Sequence, residues 1–175
     1  MRKHTMILAR TIVLATVAVF AGCNDVIDDK PSVVLEVATL TIPPVTGALD
    51  SVGGGCVFTI TNASASFNDK PKNGLAITSP FNDIRLVDVT VTYLWDDAAT
   101  EPTAVTGPAV FPVPGTVPAN GSNTSSFSVV NGLDIISPSR EGHTARLNLL
   151  FRGVTIAGDV VSVPSGGALT VNTCQ

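Results

Sequence analysis

The chain has 175 residues, a formal net charge of −4 and a pI near 4.9, and 45% of its residues are hydrophobic. The negative net charge argues against nucleic-acid binding, because such binding requires a basic patch that neutralises phosphates. A disordered chain is excluded as well, since this hydrophobic fraction is high enough for the chain to bury a core.

The first 22 residues have the pattern of a secretory signal peptide. Arg2 and Lys3 supply a basic start, and the run from Thr11 to Gly22 carries no charge. As a helix, these twelve residues would extend about 18 Å, whereas a hydrocarbon core is about 30 Å thick. The pattern therefore predicts a signal peptide over residues 1–22 and not a transmembrane helix.

The end of this segment, Phe20-Ala21-Gly22-Cys23, resembles the bacterial lipobox, in which small residues precede an obligatory cysteine. The resemblance implies a bacterial lipoprotein in which Cys23 takes a diacylglyceryl group and becomes the new amino terminus. Acyl chains there would hold the protein on a membrane. Phe20 departs from the usual leucine. The alternative is an ordinary secretory signal cut near Ala21, which leaves Cys23 as a spare thiol.

The residues after Cys23 are polar and acidic, and we expect residues 23–31 to form a tether ahead of a single domain over 32–175. Asn24, rather than aspartate, follows the cysteine, which favours the outer membrane. Removing residues 1–22 leaves 153 residues with seven basic and 14 acidic side chains, a net charge of −7. This balance again opposes a nucleic-acid partner, and the lipid is the expected contact with the membrane.

Cys56 and Cys174 remain once Cys23 is lipidated, and outside the cytoplasm such a pair predicts a disulfide. On the entropic model, this disulfide would raise the free energy of the unfolded chain by about 4–5 kcal/mol. Two buried thiols are the alternative. A metal site is disfavoured, because two cysteines supply too few ligands.

The mature composition, dominated by Val, Thr, Ser, Gly, Pro and Ala, favours strands and turns. The clearest predicted strand is Ile84 to Trp95, which alternates apolar and polar residues. Its expected inward face comprises Val87, Val89, Val91, Tyr93 and Trp95. Further strands are predicted at Ser32 to Ile42, with Val33, Leu35, Val37 and Thr39 on one face, and at 56–62, 125–130, 145–152, 160–163 and 168–174.

Turn residues separate these strands. Asn68 to Pro71 and Pro164 to Gly167 are predicted turns, and Gly153 to Asp159 is a predicted hairpin connection. The proline-rich residues 102–124 are expected to form an extended edge or a long surface loop, but not a central strand.

About seven strands with regularly spaced turns predict an all-β fold, a single antiparallel β-sandwich. The pattern over residues 32–174 resembles the immunoglobulin-like sandwiches of bacterial surface and secreted lipoproteins. It departs from true immunoglobulin domains because Trp95 does not lie between two cysteines at the usual inter-sheet spacing. A jelly roll or another Greek-key sandwich stays open.

Three groups of residues could carry chemistry. His143 would suit a serine hydrolase, but no Gly-x-Ser-x-Gly elbow is present, and a turn residue at a strand start is favoured. Asp96, Asp97 and Glu101 could bind calcium, although their spacing matches no calcium loop. Tyr93 and Trp95 could stack on a sugar, but their shared face favours packing. We therefore expect no catalytic site, metal or cofactor.

The expected function is a non-enzymatic, lipid-anchored binding or structural module of the cell envelope, with a protein or glycan partner. Residues 102–124 are the expected contact segment. The alternative is a periplasmic accessory factor in envelope or secretion-system assembly. A small hydrolase is a third hypothesis, and it lacks an identifiable acid or nucleophile.

Overall fold

Antiparallel strands dominate the computed structural model, which describes residues 32–49, 56–72, 79–96, 108–130 and 141–174. These residues contain ten strands and one 3-10 turn at Pro80–Asn82. The strands are β1 (Val33–Thr41), β2 (Thr46–Leu49), β3 (Cys56–Thr59), β4 (Ala63–Pro71), β5 (Ile84–Trp95), β6 (Ala109–Pro112), β7 (Thr116–Val117), β8 (Ser122–Phe127), β9 (Thr144–Thr155) and β10 (Val160–Thr170).

The strands form two antiparallel sheets that pack face to face. Sheet I has the order β1-β4-β8, and sheet II has the order β10-β9-β5-β6, with β7 paired to the start of β5. Strands β2 and β3 form a separate hairpin. The predicted all-β sandwich is confirmed, although the described residues hold ten strands where the sequence predicts about seven.

The core lies between the sheets and is built from alternate residues of each strand. Phe151 of β9 is fully buried, and its ring meets the rings of Phe67 in β4 and Phe127 in β8 edge-on, at centroid distances of 5.0 and 5.2 Å. Such edge-to-face pairs contribute about 0.5–1.5 kcal/mol beyond the burial of their area. The three rings thus connect sheet II to sheet I at the centre of the sandwich.

Strand β5 has the predicted bounds, but one predicted inward residue is wrong. The pairing of β5 with β9 shifts register between Leu86 and Asp88, which marks a β-bulge. Leu86 and Val89 are buried, whereas Val87 is only half-buried. Simple alternation fails here because the bulge adds a residue and reverses the faces on one side of it.

A similar irregularity corrects the face of β1. The pairing of β1 with β4 shifts register between Val37 and Thr39, so Thr39 is exposed and Leu40 and Ile42 pack against the core. Beyond Ile42 the chain moves to sheet II. There Val45 pairs in parallel with Val171, and its N–H donates to the Thr170 carbonyl at 2.9 Å.

The predicted turn at Asn68 to Pro71 is wrong, because these residues continue β4. Asn68 pairs with Glu36 of β1 and Ser122 of β8, and Asp69 pairs with Leu35. Pairing with β1 along the whole stretch, and with β8 at Asn68, overrides the turn preference of Asn, Asp and Pro, since the ladder satisfies backbone groups that a turn would satisfy locally.

The predicted turn at Pro164 to Gly167 is also wrong, because β10 runs unbroken through it. Proline is tolerated there since β10 is an edge strand of sheet II and need not donate from every residue. A side chain at Gly167 would overlap the Ile42 Cδ1 atom. The glycine therefore allows the end of β1 to lie against β10.

The proline-rich stretch connects the two sheets. Residues 108–124 run along the edge of β5 as β6 and β7, then cross to sheet I, where β8 begins at Ser122 rather than at the predicted Ser125. The Ser125 hydroxyl donates to the Pro114 carbonyl at 2.5 Å and ties the crossing segment to β8. The extended-edge alternative is confirmed for these residues, and residues 102–107 lie outside the described part.

Candidate functional site

His143 and Asp96 face each other where β5 ends and β9 begins. Asp96 follows β5, and its Oδ1 lies 3.0 Å from His143 Nδ1, while its Oδ2 accepts a 2.9 Å hydrogen bond from the Thr144 N–H. The Thr144 N–H, and secondly His143, lower the pKa of Asp96. The structure thus places His143 at a strand start, as predicted, where the pair joins the ends of two neighbouring strands.

The His143–Asp96 pair resembles part of a hydrolase triad, but it has no accompanying nucleophile among the residues that the structure describes. Within the described ranges, no serine or threonine hydroxyl hydrogen-bonds to His143, and the nearby Thr144 hydroxyl is bonded to that of Thr170 at 3.2 Å. Nucleophilic catalysis requires the nucleophile and its base within hydrogen-bonding reach. The geometry supports a structural role for this pair.

An open groove of about 460 Å³ lies beside the same strand ends. It is created by cross-strand register, since Leu94 pairs with Arg146 of β9 and Arg146 pairs with Ala168 of β10. Ala168, which pairs with Arg146, has only a methyl side chain to cover this part of β10. The residues lining the groove are Leu94, Trp95, Asp96, Thr144, Arg146, Gly167 and Ala168.

Two side chains give the groove its binding character. Leu94 is 46% exposed, although it is a large hydrophobic residue. Arg146 is exposed and forms no ion pair with any described residue. A guanidinium beside an apolar side chain suits a ligand that carries a carboxylate or another planar anion next to an apolar group.

A second depression of about 410 Å³ lies at the middle of sheet II and differs in its electrostatics. Arg152 there pairs with Asp88, whose carboxylate raises the pKa of the guanidinium through hydrogen bonds and charge. Exposed Val110, Leu150 and Val160 surround this pair. Because the charge of Arg152 is already neutralised, this depression offers less to an anionic ligand than the groove does.

Cys56 and Cys174 form a disulfide, with Cα atoms 6.0 Å apart, which agrees with the predicted pair. The Cys174 N–H donates to the Glu141 carboxylate. Glu141 and the two sulfurs lie close enough to suggest a metal site. The sulfurs are bonded to each other, however, so neither is a thiolate that could bind a metal.

The remaining predicted residues have mixed outcomes. The Tyr93 hydroxyl donates to the Val129 carbonyl at 2.5 Å, and Trp95 packs against the core, as the packing interpretation predicts. Cys23, Asp97 and Glu101 lie outside the described residues. Sequence reasoning missed Arg146 as a candidate binding residue, because only strand register places it beside Leu94 and Ala168.

Comparison of the chain with protein-family models, curated proteins and solved structures finds no match. In the described ranges, no helix has the length and apolar character needed to cross a membrane. The assignment of function therefore depends on the residues and their geometry.

Proposed function

We propose that this chain is a non-enzymatic binding module of the bacterial cell envelope, held on a membrane by acyl chains at Cys23. Two features support the location: the lipobox-like residues 20–23 in the sequence, and the Cys56–Cys174 disulfide, which persists in oxidising compartments. Residues 23–31 act as the tether. The sandwich then presents its surface to a protein or glycan partner.

The observation that carries the binding role is the unpaired Arg146 beside exposed Leu94 in the groove. The mature chain has twice as many acidic as basic residues, yet this arginine has no acidic partner among the described residues. A partner with a carboxylate next to an apolar group would pair with the guanidinium and cover the leucine. The groove thus replaces residues 102–124 as the proposed contact surface.

Site-specific photo-crosslinking in cells tests the groove. A benzophenone amino acid at position 94 is expected to give adducts, and the same probe at position 156 is the exposed control, because Ile156 is 58% exposed on a distant turn. Arg146→Glu should abolish the adducts at position 94, whereas Arg85→Glu, at another exposed arginine of sheet II, should not. Adducts that survive Arg146→Glu would contradict the proposal.

Protease treatment of intact cells separates external recognition from the alternative, a periplasmic accessory factor. Digestion of the domain on intact cells would favour a partner outside the cell. Protection until the outer membrane is permeabilised would place the domain in the periplasm and favour the assembly role. The Arg146→Glu variant should be digested with the same time course as the wild type, because the proposed lipid anchor, and not the groove, determines where the domain is located.

A further inference from the structure

Asp69 is a buried acid at the end of the sandwich opposite the groove. It follows Ala63, Ala65 and Phe67 as the last inward residue of β4, and its residue exposure is only 2%. Neither of its carboxylate oxygens forms a hydrogen bond of normal geometry with any described residue. A buried carboxylate without partners is costly, so its position requires an explanation.

A second carboxylate, that of Asp83, approaches Asp69 from the other sheet. Asp83 precedes β5, and its Oδ1 accepts a 2.8 Å hydrogen bond from the Ala119 N–H. Its Oδ2 forms no hydrogen bond with the described residues. Burial, and to a smaller extent the negative charge of Asp83, raise the pKa of Asp69 to about 6, while the Asn120 backbone amide lowers it.

The turn at residues 118–121 borders both carboxylates and fixes their surroundings. The Asp69 N–H donates to the Gly121 carbonyl at 3.0 Å, and the Gly121 N–H donates to the Pro118 carbonyl at 2.8 Å. Asn120 has a φ of 55°, a left-handed conformation that asparagine tolerates better than most residues. Each of the two acids is therefore hydrogen-bonded to this turn, one through its backbone and one through its side chain.

Within the described ranges, no basic side chain forms an ion pair with Asp69 or Asp83. Lys70 points to the other face of β4 and pairs with Glu36 at 2.5 Å. Arg85 and Lys72 are exposed, and neither forms an ion pair with a described residue. The ligand atoms that the two aspartates offer are carboxylate oxygens, the kind of donor that a hard cation prefers.

We propose that Asp69 and Asp83 bind a divalent cation of the calcium class between the two sheets, beside the turn at residues 118–121. Hard oxygen donors favour calcium over zinc or copper, which prefer nitrogen and sulfur ligands. The cation offsets the charge of the buried Asp69 carboxylate and connects β4 of sheet I to the start of β5 in sheet II. This inference is independent of the groove and of the lipid anchor.

Calcium binding to the full mature chain, measured by calorimetric titration at pH 7.5, tests this site. The wild type should bind one Ca²⁺ per chain. Asp69→Asn and Asp83→Asn should each raise the dissociation constant about tenfold or more. Glu36→Gln removes an exposed carboxylate of β1 and is the matched control, which should bind as the wild type does. At pH 5 binding should weaken, because protons compete for Asp69.

Thermal unfolding with and without chelator distinguishes a variant that has lost the calcium site from one that binds poorly because it is unfolded. Without calcium, Asp69→Asn should be at least as stable as the wild type, because the amide carries no buried charge. Calcium should raise the melting temperature of the wild type and of Glu36→Gln only. The proposal is overturned if the wild type binds no calcium at millimolar concentration, or if binding and stabilisation survive in both aspartate variants.

Discussion

Removing the Cys56–Cys174 disulfide should destabilise the domain without abolishing its fold. The change is the double substitution Cys56→Ala and Cys174→Ala, compared with the wild type before and after reduction. The bond connects the start of β3 to the end of the chain across 118 residues of sequence. It is the covalent link between the β2–β3 hairpin and the last strand of sheet II.

The expected magnitude follows from the length of the loop that the bond closes. On the entropic model, closing a loop of 118 residues raises the free energy of the unfolded chain by about 5 kcal/mol. The hairpin is loosely packed, since Leu49 is 62% exposed and Val57 is 56% exposed. The folded protein can therefore release the hairpin locally when the bond is absent, and we expect a loss of about 2–5 kcal/mol.

Urea unfolding and hydrogen exchange measure the global and local parts of this effect. The double variant and the reduced wild type should show the same loss in unfolding free energy. The amides of β2 and β3 should exchange faster, while those of β5 and β9, which pair with each other through the core, keep their protection relative to global unfolding. A loss below about 1 kcal/mol, with unchanged exchange in the hairpin, would show that the disulfide does not hold the hairpin in place.

Three further changes test the core and the interior acid. Phe151→Ala should cost about 3–5 kcal/mol in urea unfolding, because it leaves a cavity between two rings, whereas Leu150→Ala, at the adjacent and 47% exposed residue, should cost under about 1 kcal/mol; equal losses would contradict the assigned core. Gly153→Ala should lower stability by about 1–3 kcal/mol, because its Cβ would meet Ile84 Cγ2 and the Arg85 carbonyl, and the same change at Gly166, where only ordinary contact results, is the control. In chelator, the stability of the wild type should fall relative to that of Asp69→Asn as pH rises from about 4 to about 6, and then level off. The reason is that the folded state still holds the proton of Asp69 at pH values where the unfolded state has released it. Melting temperatures that run parallel for the two proteins across this range would contradict the burial of the charge.

Local sequence pattern was enough to predict the strands that lie at the centre of the fold. Strand β5 has its predicted ends at Ile84 and Trp95, and β9 contains the predicted strand at 145–152. Both strands have one apolar and one polar face, so burial on one side leaves a period of two in the sequence. The Cys56–Cys174 disulfide could be predicted because only two cysteines remain after Cys23 and the expected compartment is oxidising.

The errors arise where distant strands determine the local conformation. Asn68 lies in a sequence typical of a turn, but β1 and β8 pair with it from both sides. Pro164 lies inside β10 because an edge strand tolerates it, and the bulge in β5 has no signature in the residues around Val87. The groove around Arg146 could not be predicted for the same reason, since cross-strand register assembles it.

Mass spectrometry of the amino-terminal peptide, from the protein isolated from bacterial membranes, tests whether Cys23 carries the lipid anchor. We expect the mature chain to begin at Cys23 and this cysteine to carry a diacylglyceryl thioether. Cys23→Ala should then move the protein from the detergent phase to the aqueous phase on partitioning. A membrane-associated chain that begins elsewhere, or an unmodified Cys23 thiol, would contradict the lipid anchor and the envelope function built on it.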